Sequence, residues 1–287
     1  MSGVVETTGS EVEREAADEE EQQQSFTRRK STAEKFEEAG LIIAPLLIAG
    51  LGGLLYLYYQ SLDLENAVLQ QQRALRWDEV LLPQIRRHIY LATVSAAAVI
   101  AIAVPLGILL TRKPIRELAL GSRKIDLGNG VLAVVNSGQA APAYGLLAIA
   151  LTLFGFGPTT AIYALILYAT LPVLLNTMVG LDSVEDSVIE AGRGMGMTRR
   201  QVLFRIELPL AVPAIIAGLR TALIITIGTA ALAYAIGGGG LGDTIFAGIQ
   251  LQQDPILFVG SGLVIILALT FDWLGALAER FLKPRGI

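Results

Sequence analysis

Residues 190–209 read Glu190-Ala191-Gly192-Arg193-Gly194-Met195-Gly196, then nine residues, then Ile206-Glu207-Leu208-Pro209. This polar, arginine-bearing segment interrupts a chain that is 53% hydrophobic and only 17% charged. Such a charge fraction is low for a soluble domain. Immediately upstream, residues 127–181 contain no Asp, Glu, Lys, Arg or His. That stretch is too long for one membrane helix and sufficient for two of about 20 residues each. The chain therefore reads as an all-α integral membrane protein, and residues 190–209 as a polar excursion from the bilayer.

Outward from this segment, about six apolar stretches are long enough to cross the membrane as helices. They lie near 41–60, 88–111, 130–153, 158–180, 211–236 and 256–277. The breaker cluster Gly155-Phe156-Gly157-Pro158 divides the uncharged stretch. Pro45, Pro105, Pro142, Pro172 and Pro213 fall within spans or at their ends. Membrane helices tolerate this where neighbours satisfy the freed backbone groups. Lys and Arg set the orientation. With the N-terminus in the cytoplasm, the inner segments carry Arg28, Arg29 and Lys30, then Arg112, Lys113 and Arg116, then Arg193, Arg199, Arg200 and Arg205, then Arg280, Lys283 and Arg285. The outer side carries Arg73, Arg76, Arg86 and Arg87, all in one loop. Both termini and residues 190–209 are thus expected in the cytoplasm of a multi-pass cell-membrane protein.

Residues 1–40 form a polar tail, acidic at Glu13, Glu15, Asp18, Glu19, Glu20 and Glu21, and read as disordered and solvated. The tail also argues against a secretory signal peptide. Residues 41–60 form an extra first span. Residues 61–87 hold Leu64, Val68, Leu75 and Trp77 among charges, which suits an amphipathic helix along the outer surface. The chain has no cysteine, so no disulfide framework and no thiolate site is available.

Within the polar excursion, Val184–Ala191 can form a short helix, with Asp182 or Ser183 as its cap. Gly192, Gly194 and Gly196 permit a sharp turn. A second helix can run from a capping Thr198 to Glu207, with Pro209 and Pro213 marking the return to the membrane. Such a helix–turn–helix suits docking into a groove of a soluble partner, with Arg193, Arg199, Arg200 and Arg205 giving charge-assisted contacts. On composition alone, a loop whose arginines only enforce topology accounts for it equally well.

The spacing of the segment resembles the EAA loop of type I ABC importer permeases: Glu-Ala-Ala, three residues, Gly, nine residues, Ile-x-Leu-Pro. Glu190, Ala191, Gly196, Ile206, Leu208 and Pro209 match, and Gly192 stands where the family has its second Ala. The resemblance covers roughly residues 88–280 and implies the type I ABC importer (MetI-like) transmembrane fold, with 182–210 as the loop that couples ATPase closure to the spans. Within the family the chain is most similar to permeases for glycine betaine, carnitine, choline or proline. The phrases are Val104-Pro105-Leu106-Gly107-Ile108-Leu109, Ala191-Gly192-Arg193-Gly194-Met195-Gly196-Met197-Thr198, and Ile227-Gly228-Thr229-Ala230 followed by Gly237-Gly238-Gly239-Gly240-Leu241-Gly242. The implied partners are a separate ABC ATPase subunit holding ATP and Mg, an extracytoplasmic solute-binding protein, and a second permease copy or a paralogue. Membrane lipid surrounds the assembly, and no nucleic acid is expected. The chain itself is expected to bind no cofactor and no metal and to have no catalytic residue. A permease for methionine or another amino acid in the same family is the alternative. More remote is a secondary transporter driven by an ion gradient, which usually shows midplane carboxylates or charged pore rings.

Gly237-x-Gly239-x-x-Gly242 also fits the dinucleotide fingerprint, but that needs a strand before it and a helix after it in a βαβ unit. Following a membrane span, the run reads as a tight bend or an unwound segment near the translocation path. Asn136, Ser137, Gln139, Asn176, Thr177, Thr221, Thr226, Thr229 and Tyr234 lie inside spans, where polar groups face protein or a water-filled path. Hydrogen bonds between helices are the expected role, ahead of lining the path. Arg220 and Asp272 lie at similar depth and are expected to form an intramembrane ion pair. His88 is the single histidine and is expected at the interface as a cap or headgroup contact.

Overall fold

The structure is a computed structural model that describes residues 39–112, 117–120, 123–140 and 142–282. The tail expected at 1–40 lies almost wholly outside the described residues. The chain divides into two compact units, Met1–Leu47 and Ile48–Ile287. Of the first, only the opening of helix α1 (Ala39–Ser61) is described. All contacts given below lie within the second.

After α1 comes a six-residue helix, α2 (Leu69–Ala74), and then a π turn (Trp77–Leu81) that runs into α3 (Leu82–Leu110). A short antiparallel pair follows, β1 (Glu117–Leu120) with β2 (Arg123–Asp126), Glu117 facing Asp126 and Leu120 facing Arg123. Then come α4 (Leu127–Ala140), α5 (Ala143–Phe154), α6 (Pro158–Asp182), α7 (Asp186–Gly194) and α8 (Arg199–Val202). A second π turn (Leu203–Glu207) leads into α9 (Leu208–Ala230), which tightens to a 3₁₀ turn (Ala231–Ile236). α10 (Leu241–Gln250) and α11 (Asp254–Leu282) complete the order.

Among the described residues, five helical runs are long and apolar enough to cross a membrane: Ala39–Ser61, Trp77–Leu110, Pro158–Asp182, Arg199–Ile236 and Asp254–Leu282. The expectation of a sixth, at 130–153, is corrected. That stretch is two helices, α4 and α5, of 14 and 12 residues. At 1.5 Å per residue they are about 21 and about 18 Å long, and neither alone spans about 30 Å. The break falls at Pro142, whose φ of −55° and ψ of 133° are extended. Proline offers no N–H and its ring excludes the carbonyl four residues back, so one helix stops and another starts.

α3, α6 and α9 form the central contact, through Val99, Ala103, Leu110, Leu174, Met178 and Ala222. A second cluster, including Leu91, Leu147, Leu165 and Ile236, brings α5 and the 3₁₀ turn against α3 and α6. Small residues let the backbones approach, as membrane helix contacts require. A Cβ on Gly107 would lie 2.7 Å from Thr177 Cγ2, one on Gly180 2.8 Å from Ala214 Cβ, and one on Gly218 2.7 Å from the Pro172 carbonyl oxygen. By contrast, Leu54, Leu57, Leu153, Phe258 and Ile265 stand exposed. In water such a surface would be a liability; against lipid it is not.

Residues 61–87 depart from the expected surface helix. Leu75 and Leu81 are wholly buried with Ile256 and Val259, beside Tyr58 and Tyr59. Tyr59 Oη donates to the Leu75 carbonyl at 2.8 Å. Packing two leucines between α1 and α11 stabilises by about 1.5–3 kcal/mol each relative to water, more than a solvated loop offers. The segment is therefore folded onto the helices.

Candidate functional site

The segment around residues 190–209 is a helical hairpin continuous with a membrane helix. α6 ends at Asp182, where Ser183 N–H reaches the Val179 carbonyl at 2.9 Å. α7 starts at Asp186, two residues later than expected, and Glu185 is its boundary; neither Asp182 nor Ser183 caps it. Val184 is buried, so the chain turns after it. The three glycines also divide their tasks differently from expectation. Gly192 and Gly194 are inside α7, and only Gly196 makes the turn, at φ +82°. Its N–H reaches the Arg193 carbonyl at 2.9 Å, and Met197 N–H reaches that of Gly192 at 3.2 Å. This is the Schellman closure of a helix end.

Gly192 serves space instead: a Cβ there would lie 2.5 Å from Ile206 Cδ1. Two residues fourteen positions apart in the motif are thus packed together. Thr198 caps α8 as expected and forms a full capping box, accepting from Gln201 N–H at 3.3 Å while donating its own N–H to Gln201 Oε1 at 2.8 Å. The second helix does not stop at Glu207. It passes through the π turn into α9, giving one helical run from Arg199 to Ile236. No loop therefore intervenes between Arg199 and the membrane-spanning part of the run.

The hairpin exposes Glu190, Ala191, Arg193, Arg199 and Arg200. Among them stand Val188, Met195 and Phe204, at 40%, 75% and 65% exposure. Apolar anchors ringed by arginine form a face suited to a protein partner. Ile206, Leu208 and Pro209 are half-buried at its root.

Two ion-pair groups anchor the neighbouring helices. Glu207, 6% exposed at its side chain, meets Arg112 Nη2 at 2.5 Å and ties the root of the hairpin to the end of α3. This contact was not legible in the sequence, where Arg112 counted only as a topological charge. Arg220 Nη2 lies 2.9 Å from Asp272 Oδ1, and its Nη1 lies 3.0 Å from Glu279 Oε2. The sequence reading named Asp272 and missed Glu279. Asp272, Gly275 and Glu279 share one face of α11 by helical spacing. The Arg220 stem lies over Gly275, where a Cβ would come within 2.4 Å of Arg220 Cγ.

The polar residues inside the spans do not bridge helices as expected. Ser137, Thr177, Thr221, Thr226 and Thr229 donate to carbonyls four residues back, at 2.6–3.1 Å. Asn176 Nδ2 does the same to Pro172 at 2.8 Å and sits against Gly218 between α6 and α9. In a dry environment the nearest acceptor is the helix's own carbonyl. Thr226 is fully buried, whereas Thr229 lines a small cleft with Ala143, Leu147, Leu165 and Tyr168. Asn136 is exposed on α4. The Gln139 side chain lies outside the described residues.

Beyond the two ion-pair groups, helix-bridging polar contacts gather at the glycine run. Gly237, Gly239 and Gly240 all have positive φ, at 77°, 75° and 93°. The start of α3 grips this loop. Arg87 Nε donates to the Gly238 carbonyl at 3.1 Å, Thr244 Oγ1 donates to Gln84 Oε1 at 2.5 Å, and Gly240 lies against the His88 ring. His88 is wholly buried, with Nε2 2.9 Å from the Ile227 carbonyl, so the expected headgroup contact is corrected. Charge placement had put it at the boundary, but the loop folds over it. α10, which follows the loop, was not recognised in the sequence. Asp243 in its first turn has its carboxyl pushed above the usual carboxylate range by burial.

This architecture has relatives. Residues 103–284 match the family model described as the binding-protein-dependent transport system inner membrane component. The chain is 40% identical, over 208 residues, to the glycine betaine/carnitine/choline transport system permease protein OpuCB of Bacillus subtilis (strain 168), covering 72% of this chain and 90% of that protein. It has the same identity and coverage with the choline transport system permease protein OpuBB of that organism. It is 38% identical to the osmoprotectant import permease protein OsmY of Salmonella typhimurium, covering 70% of this chain and 82% of that protein. Among solved structures, the inward-facing MetNI methionine ABC transporter superposes with a TM-score of 0.60 at 25% identity, covering 71% of this chain and 96% of that one. The chain is a multi-pass membrane protein and belongs to the family of binding-protein-dependent transport system inner membrane components.

Proposed function

We propose that this chain is the permease subunit of an ABC importer that carries a small osmoprotectant of the glycine betaine, choline or carnitine class into the cytoplasm. The observation that supports the coupling half of this reading is the helical continuity of residues 199–236 with the exposed hairpin. A separate ATPase binds the face around Met195 and Phe204, with Arg193, Arg199 and Arg200 at its rim, and holds the ATP and Mg. Its closure tilts α8 and α9 together. Glu190, Ala191, Gly192, Gly196, Ile206, Leu208 and Pro209 maintain the hairpin that receives it. An extracytoplasmic binding protein delivers solute to the glycine-run end, and two permease chains, identical or paralogous, enclose the path. Both termini lie in the cytoplasm. The solute class is supported by the names of relatives at about 40% identity.

The test is uptake into proteoliposomes holding the permease, its ATPase and its binding protein. ATP-dependent accumulation of labelled glycine betaine or choline is the expected result. Uptake driven by an ion gradient without the ATPase would refute the ATP-coupled reading. Preference for methionine would refute the solute class.

A further inference from the structure

Three aromatic side chains from three separate elements meet beside the glycine run. Tyr234 of the 3₁₀ turn stacks on Phe246 of α10, centroids 3.8 Å apart and planes at 16°. Tyr144, in the first turn of α5, stands across Phe246 at 6.5 Å and 86°. The two ring planes form a corner, and Tyr144 is 46% exposed. None of the three belongs to the apolar clusters that hold the helices together.

Asp243 lies three residues before Phe246, so the two share a face of α10. Its carboxylate makes no hydrogen bond or ion pair with any described residue. Arg87 is close, since both its Cγ and Asp243 Oδ2 approach the Cβ position of Gly239, at 3.5 and 3.7 Å. Yet Arg87 donates to the Gly238 carbonyl and sets its guanidinium over Tyr90, 5.4 Å from the ring centroid. Asp243 is exposed on the face of α10 that carries Phe246, so this end of the helix offers a cation one negative charge near the perpendicular rings of Phe246 and Tyr144. A primary amine or a metal ion would also need several oxygen acceptors. A quaternary ammonium has no N–H to satisfy and is held by ring faces and one negative charge.

We propose that Tyr144, Tyr234, Phe246 and Asp243 form a weak binding site for a quaternary ammonium group within the permease itself. The proposal rests on the solute class given above and deepens it: the solute is selected a second time after leaving the binding protein. Weak binding suits such a station, because a tight site would hold the solute and stop transport.

The test is titration of the purified full chain in nanodiscs with choline and with its uncharged carbon isostere. Choline is expected to bind about tenfold more tightly, the discrimination a cation–π site of about 1.4 kcal/mol provides. Tyr144→Leu and Asp243→Asn should each weaken choline binding by a similar factor, and Tyr144→Phe, which keeps the ring face, should not. Equal binding of choline and its isostere to the unaltered chain would overturn the site, whatever the folding of the variants. So would a Tyr144→Phe chain as weak as Tyr144→Leu. Uptake by the unaltered transporter separates the two readings. Osmoprotectant import without charge-selective binding refutes the site alone; charge-selective binding without import refutes the transport reading alone.

Discussion

At the residue scale, Gly192 and Gly196 look alike in the sequence and do different work. Gly196 is needed for its backbone: φ is +82° and nothing lies within 4 Å of a Cβ there. Gly196→Ala therefore meets no clash but carries the left-handed cost of about 1–2 kcal/mol. In reconstituted transporter it should leave ATP hydrolysis running while uptake falls several-fold, because the hairpin no longer holds its angle. Gly192→Ala overlaps only the far end of the flexible Ile206 side chain, with Met197 and Val202 at ordinary contact distance, and should transport nearly normally. Equal loss in both variants would mean that space, not backbone angle, governs the turn. Arg220 is the other decisive residue. Arg220→Asp should lower thermal stability in detergent, and adding Asp272→Arg should restore part of it. Restoration is incomplete because Glu279 also loses its partner. No recovery in the double variant would count against the pair as a tie between α9 and α11.

At the element scale, the α6–α9 contact leaves no room for a side chain at Gly218. A Cβ on Gly218 would sit 2.7 Å from the Pro172 carbonyl, which is backbone and cannot swing aside. Gly218→Leu should separate the helices and lower the melting temperature markedly, whereas Gly228→Leu, with nothing within 4 Å, should be tolerated. The root of the hairpin depends on Arg112. Arg112→Ala leaves Glu207 buried and unpaired, a loss of about 3 kcal/mol or less, since Arg112 is 35% exposed to solvent. Thermal melting of the Glu207→Gln variant, which keeps a hydrogen bond without the charge, should fall between that variant and the unaltered chain.

The elements themselves were legible to different degrees, for physical reasons. Long apolar runs with few charges announced α3, α6, α9 and α11, because hydrocarbon thickness sets their length. Thr198 announced the start of α8, though its partner in the capping box, Gln201, went unnamed. Pro142 was noted but not given its consequence, so one span was counted where two short helices exist. α10 escaped notice because, beyond Leu241 at its start, its buried face is made by Gly242, Thr244 and Gly248, whose side chains carry almost no hydropathy. The pairs Arg112–Glu207 and Arg220–Glu279 join positions 95 and 59 residues apart. Charge count alone cannot assign partners at that distance. His88 was misplaced because its burial comes from the glycine loop and not from its neighbours in sequence.

At the scale of the whole molecule, the second compact unit has two functional ends. One carries the hairpin and the Arg112–Glu207 pair. The other carries the glycine loop gripped by Gln84, Arg87 and His88, with the aromatic corner beside it. α9 connects them, since the same helical run begins at Arg199 and ends at Ile236. In the function proposed above, closure of an ATPase on the first end would be converted through this run into movement at the second. The absence of native cysteine allows a clean measurement of where the ATPase sits. Single cysteines placed as Met195→Cys, Phe204→Cys and Leu251→Cys, all at exposed positions, can be cross-linked to the ATPase of the reconstituted transporter. The account predicts strong cross-linking from positions 195 and 204, altered by ATP, and none from position 251. Equal cross-linking from both ends, or none from 195 and 204 in a complex that still transports, would contradict it.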